Sequence, residues 1–133
     1  MNKPAIVLFR RDLRIADNAA LRTAMAQGSA AGLYVLDDGA DGRPLGGAGR
    51  WWLHHAILRL RRQLAGIGVP LLLRSGDQNT AAVEVAAVLG AGALYWNRRY
   101  TPWGMRADAA LRSQLARLGI ASHSFHGGYS RDP

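Results

Sequence analysis

Three short segments concentrate the side chains of this chain that could bind a ligand. Arg10, Arg11, Asp12 and Arg14 follow the first apolar run, Asn97, Arg98, Arg99, Tyr100 and Trp103 follow the fourth, and Arg50, Trp51 and Trp52 open a helical stretch between them. Guanidinium planes pair with carboxylates and phosphates in bidentate fashion and stack on rings, while Trp and Tyr supply flat apolar walls. Brought together, such groups suit a planar, partly anionic ligand. The same arginines could instead form ion pairs within the chain, and residue types alone leave both readings open.

Other chemistry is harder to assemble from these residues. No Walker sequence is present, and Gly46-Gly47-Ala48-Gly49 lacks the GxGxxG spacing of a dinucleotide loop and follows the wrong strand. His54 and His55 are adjacent on a helix and point about 100° apart, and His123 and His126, three apart on a strand, face opposite sides. Neither pair chelates well, so no metal site is expected. The chain has no cysteine, which excludes disulfides, thiolate zinc sites and a cysteine nucleophile. No Ser-His-Asp set can be drawn, and no catalytic residue is assigned.

The elements that would position these groups alternate regularly. Ala5 to Phe9 is a short uninterrupted apolar run, the mark of a strand buried on both faces of a parallel sheet. Asp17 or Asn18 caps a helix from about Ala19 to Gln27, closed by Gly28. Gly32 to Leu36 is a second strand. The helix from about Arg50 to Ala65 then carries a stripe of Leu53, Ala56, Ile57, Leu60 and Leu64, with Arg59 and Arg62 outward. Pro70 to Leu73 is a third strand. Thr80 to Leu89 is a third helix with Val85, Val88 and Leu89 inward, closed by Gly90. Ala93 to Trp96 is a fourth strand with Trp96 in the core. The fourth helix runs from Met105 to Leu118, with Leu111, Leu115 and Leu118 on one face, and Ile120 to Phe125 is a fifth strand. Right-handed crossovers then predict an α/β fold, a doubly wound five-stranded parallel sheet (Rossmann-like, order 3-2-1-4-5) flanked by helices. In that order the strand sequence reverses between the first and fourth strands, where ligands of such sheets bind. The two arginine-rich loops flank this crevice.

At 133 residues the chain has room for one domain. Its composition, 49% hydrophobic and 20% charged, is that of a globular protein. Lys3 is the one lysine, so 16 of the 17 cations are arginines, and the net charge of +8 makes acidic partners plausible, although Ala-, Gly- and Arg-rich composition also follows from a GC-rich genome. The apolar run before Arg10 is too short for a signal-peptide core, and Val85 to Trp96 falls short of the roughly 18–20 residues of a membrane helix. A cytoplasmic protein without membrane contact is expected. Gly127 to Pro133 is turn chemistry without a core pattern.

The run Leu8-Phe9-Arg10-Arg11-Asp12-Leu13-Arg14-Ile15-Ala16-Asp17-Asn18-Ala19-Ala20-Leu21 closely resembles the opening signature of the DNA photolyase/cryptochrome family. Gly49-Arg50-Trp51-Trp52-Leu53, Pro70-Leu71-Leu72-Leu73 and Tyr95-Trp96-Asn97-Arg98-Arg99-Tyr100-Thr101-Pro102 extend the resemblance from residue 5 to residue 133. It implies an N-terminal antenna domain over residues 1–126, carrying a light-harvesting chromophore. Residues 127–133 would begin a linker to a helical domain, absent from this sequence, that binds FAD and damaged DNA. By motif, the antenna site maps onto Arg10, Leu36, Asp37, Arg50, Asn97, Arg99 and Trp103. Folate-binding members typically carry an Asn-Glu pair where this chain has Trp103-Gly104, and deazaflavin-binding members an acid where it has Arg99, so flavin, deazaflavin and folate all stay open. The implied function is that of a domain of a deoxyribodipyrimidine photolyase-like protein, a flavoprotein lyase of light-dependent DNA repair, with the isolated chain itself not catalytic. A cryptochrome-type blue-light photoreceptor and a stand-alone nucleotide-binding module are the alternatives.

Overall fold

The computed structural model describes residues 3–36 and 47–126; Asp37 and the Gly127 to Pro133 tail lie outside them. Five strands alternate with four helices: β1 (Ala5–Phe9), α1 (Ala19–Ala26), β2 (Ala30–Leu36), α2 (Gly47–Gly66), β3 (Leu71–Ser75), α3 (Gln78–Leu89), β4 (Ala93–Asn97), α4 (Pro102–Arg117) and β5 (Ala121–Phe125). All pairings are parallel and the order is β3-β2-β1-β4-β5, as the alternation of elements predicts. β1 pairs with β2 on one side and β4 on the other and is buried along its whole length, which is why its sequence shows no polar alternation.

The pleat of β1 sorts the core into two layers. Ile6 and Leu8 pack with Leu33, Val35, Leu94 and Trp96 against Ala82, Val85 and Ala86 of α3 and Leu111 and Leu115 of α4. Ala5, Val7 and Phe9 pack on the other face against Ala20, Leu21 and Ala24 of α1 and Leu60 and Leu64 of α2. Gly32 makes the second layer possible, because a Cβ there would stand 3.0 Å from the Phe9 ring and 3.2 and 3.3 Å from Leu71 and Leu64. At the end of α3, Gly90 takes the left-handed conformation, φ 64°, that glycine adopts without penalty.

Two expected core faces are corrected. Val88 is 84% exposed and Leu89 also reaches solvent, whereas Ala81, Ala82, Val85 and Ala86 form the buried stripe of α3. Val88 lies about 90° around the helix from the centre of that stripe, and Leu89 overhangs a groove at the amino ends of the strands beside Ile67 and Pro70. Alanines bring α3 close to the sheet, and the larger residues at its end are left outside. Leu118 is likewise exposed, because α4 ends at Arg117 and Leu118 serves as its cap.

Candidate functional site

The loop after β1 is held by a set of buried polar contacts that begins with a helix cap. Asn18 is 1% exposed, and its Oδ1 accepts from the Leu21 amide at 3.0 Å, capping α1. Its Nδ2 donates to the Arg14 carbonyl. Asn97, the last residue of β4, reaches the same place: its Nδ2 donates to Asn18 Oδ1 at 2.8 Å and to Asp12 Oδ2 at 2.7 Å, and its Oδ1 accepts from the Ala20 amide. Asp12 Oδ1 in turn accepts from the Arg10 amide. One side-chain amide thus ties the end of β4 to the loop after β1 and to the first turn of α1.

On the opposite face of the sheet a carboxylate binds two arginines. Arg10 donates from Nη1 to Asp108 Oδ1 at 2.6 Å and from Nη2 to the Asn97 carbonyl at 2.5 Å. Arg99 donates from Nη2 to the same Asp108 oxygen at 2.7 Å. Burial pulls the Arg10 guanidinium below its ordinary range, Asp108 draws it back up, and Arg99 lowers it again. The Arg99 guanidinium lies 4.9 Å from the centre of the Trp103 ring, so cation and ring form one wall. Its Nε is buried and makes no hydrogen bond. Thr101 caps α4 and Pro102 follows at the position where a helix tolerates it. Gly104 leaves room for Arg99, since a Cβ there would meet Arg99 Cβ at 3.0 Å and Thr101 Oγ1 at 2.7 Å.

Of the residues singled out from the sequence, the structure therefore joins Arg10, Asn97, Arg99 and Trp103 in one assembly where the strand order reverses. Leu36 and Arg50 stand on another flank. Because α2 runs antiparallel to the strands, its first turns lie toward their carboxyl ends, and there Arg50, Trp51 (66% exposed) and Trp52 (57%) meet solvent, as does Leu36 at the end of β2. Trp51 packs against His55, with ring centres 4.3 Å apart, whereas Trp52 has no ring partner among the described residues. Asp37 falls outside the described residues. Tyr34, one strand over from Phe9, has its hydroxyl pushed up by burial and drawn partly back by Arg11.

Asp108 is the residue that the sequence reading passed over. A signal for it exists: Gly104, Asp108, Leu111 and Leu115 recur at helical spacing on the buried face of α4, and an acid on an apolar stripe requires a cationic partner. The site so built is a rigid wall of fixed charges and rings. Among the described residues no group of three His, Asp or Glu side chains could hold a metal ion.

A family model described as DNA photolyase matches residues 5–133. A deoxyribodipyrimidine photo-lyase of Agrobacterium fabrum is 40% identical over 131 residues, which are 98% of this chain and 27% of that protein. Cryptochrome-1 of Sinapis alba is 32% identical over 134 residues, 99% of this chain and 27% of its own length. The crystal structure of a bacterial class III photolyase from Agrobacterium tumefaciens superposes with a TM-score of 0.85 at 40% identity, over 96% of this chain and 26% of that one. The chain thus spans about a quarter of the length of the relatives it matches.

Proposed function

The chain belongs to the DNA photolyase family, and from that premise we propose that its α/β domain holds a flat light-harvesting chromophore at the carboxyl end of the sheet, within a protein that repairs DNA with light. The observation that carries this reading is the placement of cations and rings where the strand order reverses, with Trp51, Trp52 and Arg50 on another flank at the start of α2. Proteins of this family bind flavin and antenna chromophores, and the residues present fit a group of that kind: Trp52 offers an open ring for stacking, and Arg99 keeps a buried Nε without a partner. When bound, such a chromophore would absorb light and pass the excitation on. The protein's own task is to hold it flat, exclude water from one face and fix its polar edge, and none of this needs a tuned acid or base. The wall of Arg10, Asp108, Arg99 and Trp103 supplies the rigidity; Leu36, Asp37 and Arg50 would supply contacts on the β2 flank.

For the parent protein the proposal extends to a larger partner region that holds FAD and meets damaged DNA, with pyrimidine dimers split there and not in this chain. A blue-light photoreceptor parent is the second reading, favoured by the identity to the Sinapis alba cryptochrome. Titrating the domain separately with FMN, FAD, a deazaflavin and a reduced folate, while following fluorescence, tests the site. Saturable binding of one of them, weakened about tenfold or more in Arg50→Ala, is expected. No binding of any of the four, by the domain or by the full-length protein, would overturn the proposal. A dimer-splitting assay under blue light on the full-length protein then separates repair from signalling.

A further inference from the structure

At the edge of the sheet a second arginine pair has no acid partner among the described residues. Among the described residues β5 is an edge strand, paired with β4 alone, and Ser122 and Ser124 share the face of it that looks toward α4. Arg112 of α4 donates from Nε to Ser122 Oγ at 3.2 Å and from Nη2 to Ser124 Oγ at 3.0 Å. Its guanidinium also lies 5.6 Å from the centre of the buried Trp96 ring. Arg98, whose backbone amide donates to the Phe125 carbonyl, sends Nε to the same Ser124 Oγ at 3.1 Å and Nη2 toward the Ser124 carbonyl.

Two like charges thus converge on one neutral oxygen, each with a nitrogen 3.0–3.1 Å from it. This differs in kind from the other arginine pair, where Arg10 and Arg99 share the carboxylate of Asp108. Among the described residues neither Arg98 nor Arg112 has an ion pair. A serine hydroxyl that accepts from arginine still has its own O–H to donate, so the cluster presents two guanidinium groups and two hydroxyl donors with no anionic acceptor among the described residues. That is the complement of a tetrahedral oxyanion. We propose that Arg98, Arg112, Ser122 and Ser124 form a binding site for a phosphate group, separate from the chromophore site. The anchoring of Arg112 on Trp96 and both serines fixes one guanidinium in advance, which lowers the entropic cost of binding.

The source of the phosphate is either a small phosphorylated molecule or the backbone of a nucleic acid, and the test separates them. The 133-residue chain is titrated with inorganic phosphate, thymidine 5′-monophosphate and single-stranded octathymidylate, each against sodium chloride of equal ionic strength. The readout is the NMR signals of the Arg98 and Arg112 Nε–H groups and of the 122–125 amides. Saturable shifts with phosphate and none with chloride are expected. Arg112→Gln and Arg98→Gln should each weaken phosphate binding about tenfold. Both arginines are exposed, so neither change should unfold the chain, and Ser124→Ala, which keeps both cations, should weaken binding by a smaller factor. Tighter binding of the octanucleotide through the same signals identifies a nucleic-acid backbone, and equal binding of the mononucleotide identifies a small phosphorylated molecule. Unchanged affinity in Arg112→Gln, or full affinity in Arg98→Lys/Arg112→Lys, would show diffuse charge attraction and would overturn the proposal.

Discussion

Replacing Asp108 by asparagine keeps the shape of the side chain and removes the charge that Arg10 and Arg99 share. The side chains of Arg10, Asp108 and Arg99 are 6, 12 and 18% exposed, so water can compensate little. Breaking a buried ion pair by deleting one partner costs about 3–5 kcal/mol, far more than breaking an exposed one. Arg10 retains its bond to the Asn97 carbonyl and Arg99 its contact with Trp103, which places Asp108→Asn near the lower end, at about 3 kcal/mol. With an unfolding entropy of roughly 2 cal/mol/K per residue, a chain of 133 residues should lose about 10 °C in Tm. Thermal and urea unfolding of the two proteins at neutral pH measure this directly. The cost comes from stranded cations, so removing one cation along with the acid should recover part of it: Arg10→Met/Asp108→Leu should be more stable than Asp108→Leu alone. A Tm within about 2 °C of the parent in Asp108→Asn, or no recovery in the double variant, would refute the shared ion pair as the clamp of this wall.

Gly32→Ala should cost about 1–3 kcal/mol in urea unfolding, because its Cβ would press on Phe9, Leu71 and Leu64 in the packed layer beneath α2; a neutral effect would mean that this layer yields. Asp77 caps α3, and hydrogen bonds from the backbone amide and hydroxyl of Thr80 lower its pKa from the ordinary 3.8. A lowered folded-state pKa means that the stabilisation is complete above the ordinary value and is lost as the pH falls through the lowered one. Asp77→Ala should therefore be less stable than the parent by at most about 1 kcal/mol at pH 6, the site being exposed, and the gap should narrow as the pH drops below 3.8. A gap that stays constant between pH 6 and pH 2.5 contradicts that account.

The sheet was legible because its strands are short apolar runs set between glycine-closed helices, and that alternation admits few topologies. Asn18 was legible as a cap for the same local reason. The helix faces were legible where leucine marks the stripe, as at Leu60 and Leu64 of α2 and Leu111 and Leu115 of α4, and illegible in α3, where alanine does the packing. Alanine is counted weakly in any apolar pattern, yet in α3 it forms most of the buried face against the sheet. At the site, the arginines and rings could be found by type, but their partners could not. The pairing of Arg10 with Asp108 spans 98 positions, and which carboxylate meets which guanidinium is decided by where α4 packs on the sheet, which no local spacing encodes.

The bonds of Asn97 also bear on the order in which the molecule can form. β1 is the middle strand of the sheet, yet one of its two neighbours, β4, begins only at Ala93. Until that stretch has been synthesised, β1 has one open edge, the Ala20 amide lacks the acceptor that Asn97 provides, and Asp12 Oδ2 lacks the donor that the Asn97 side chain provides. A chain emerging from the ribosome can pair β1, β2 and β3 early, but loop closure over some 80 residues must precede completion of the centre. The contacts that build the wall at the reversal point thus form late, and a chain stalled before β4 would expose its most apolar strand.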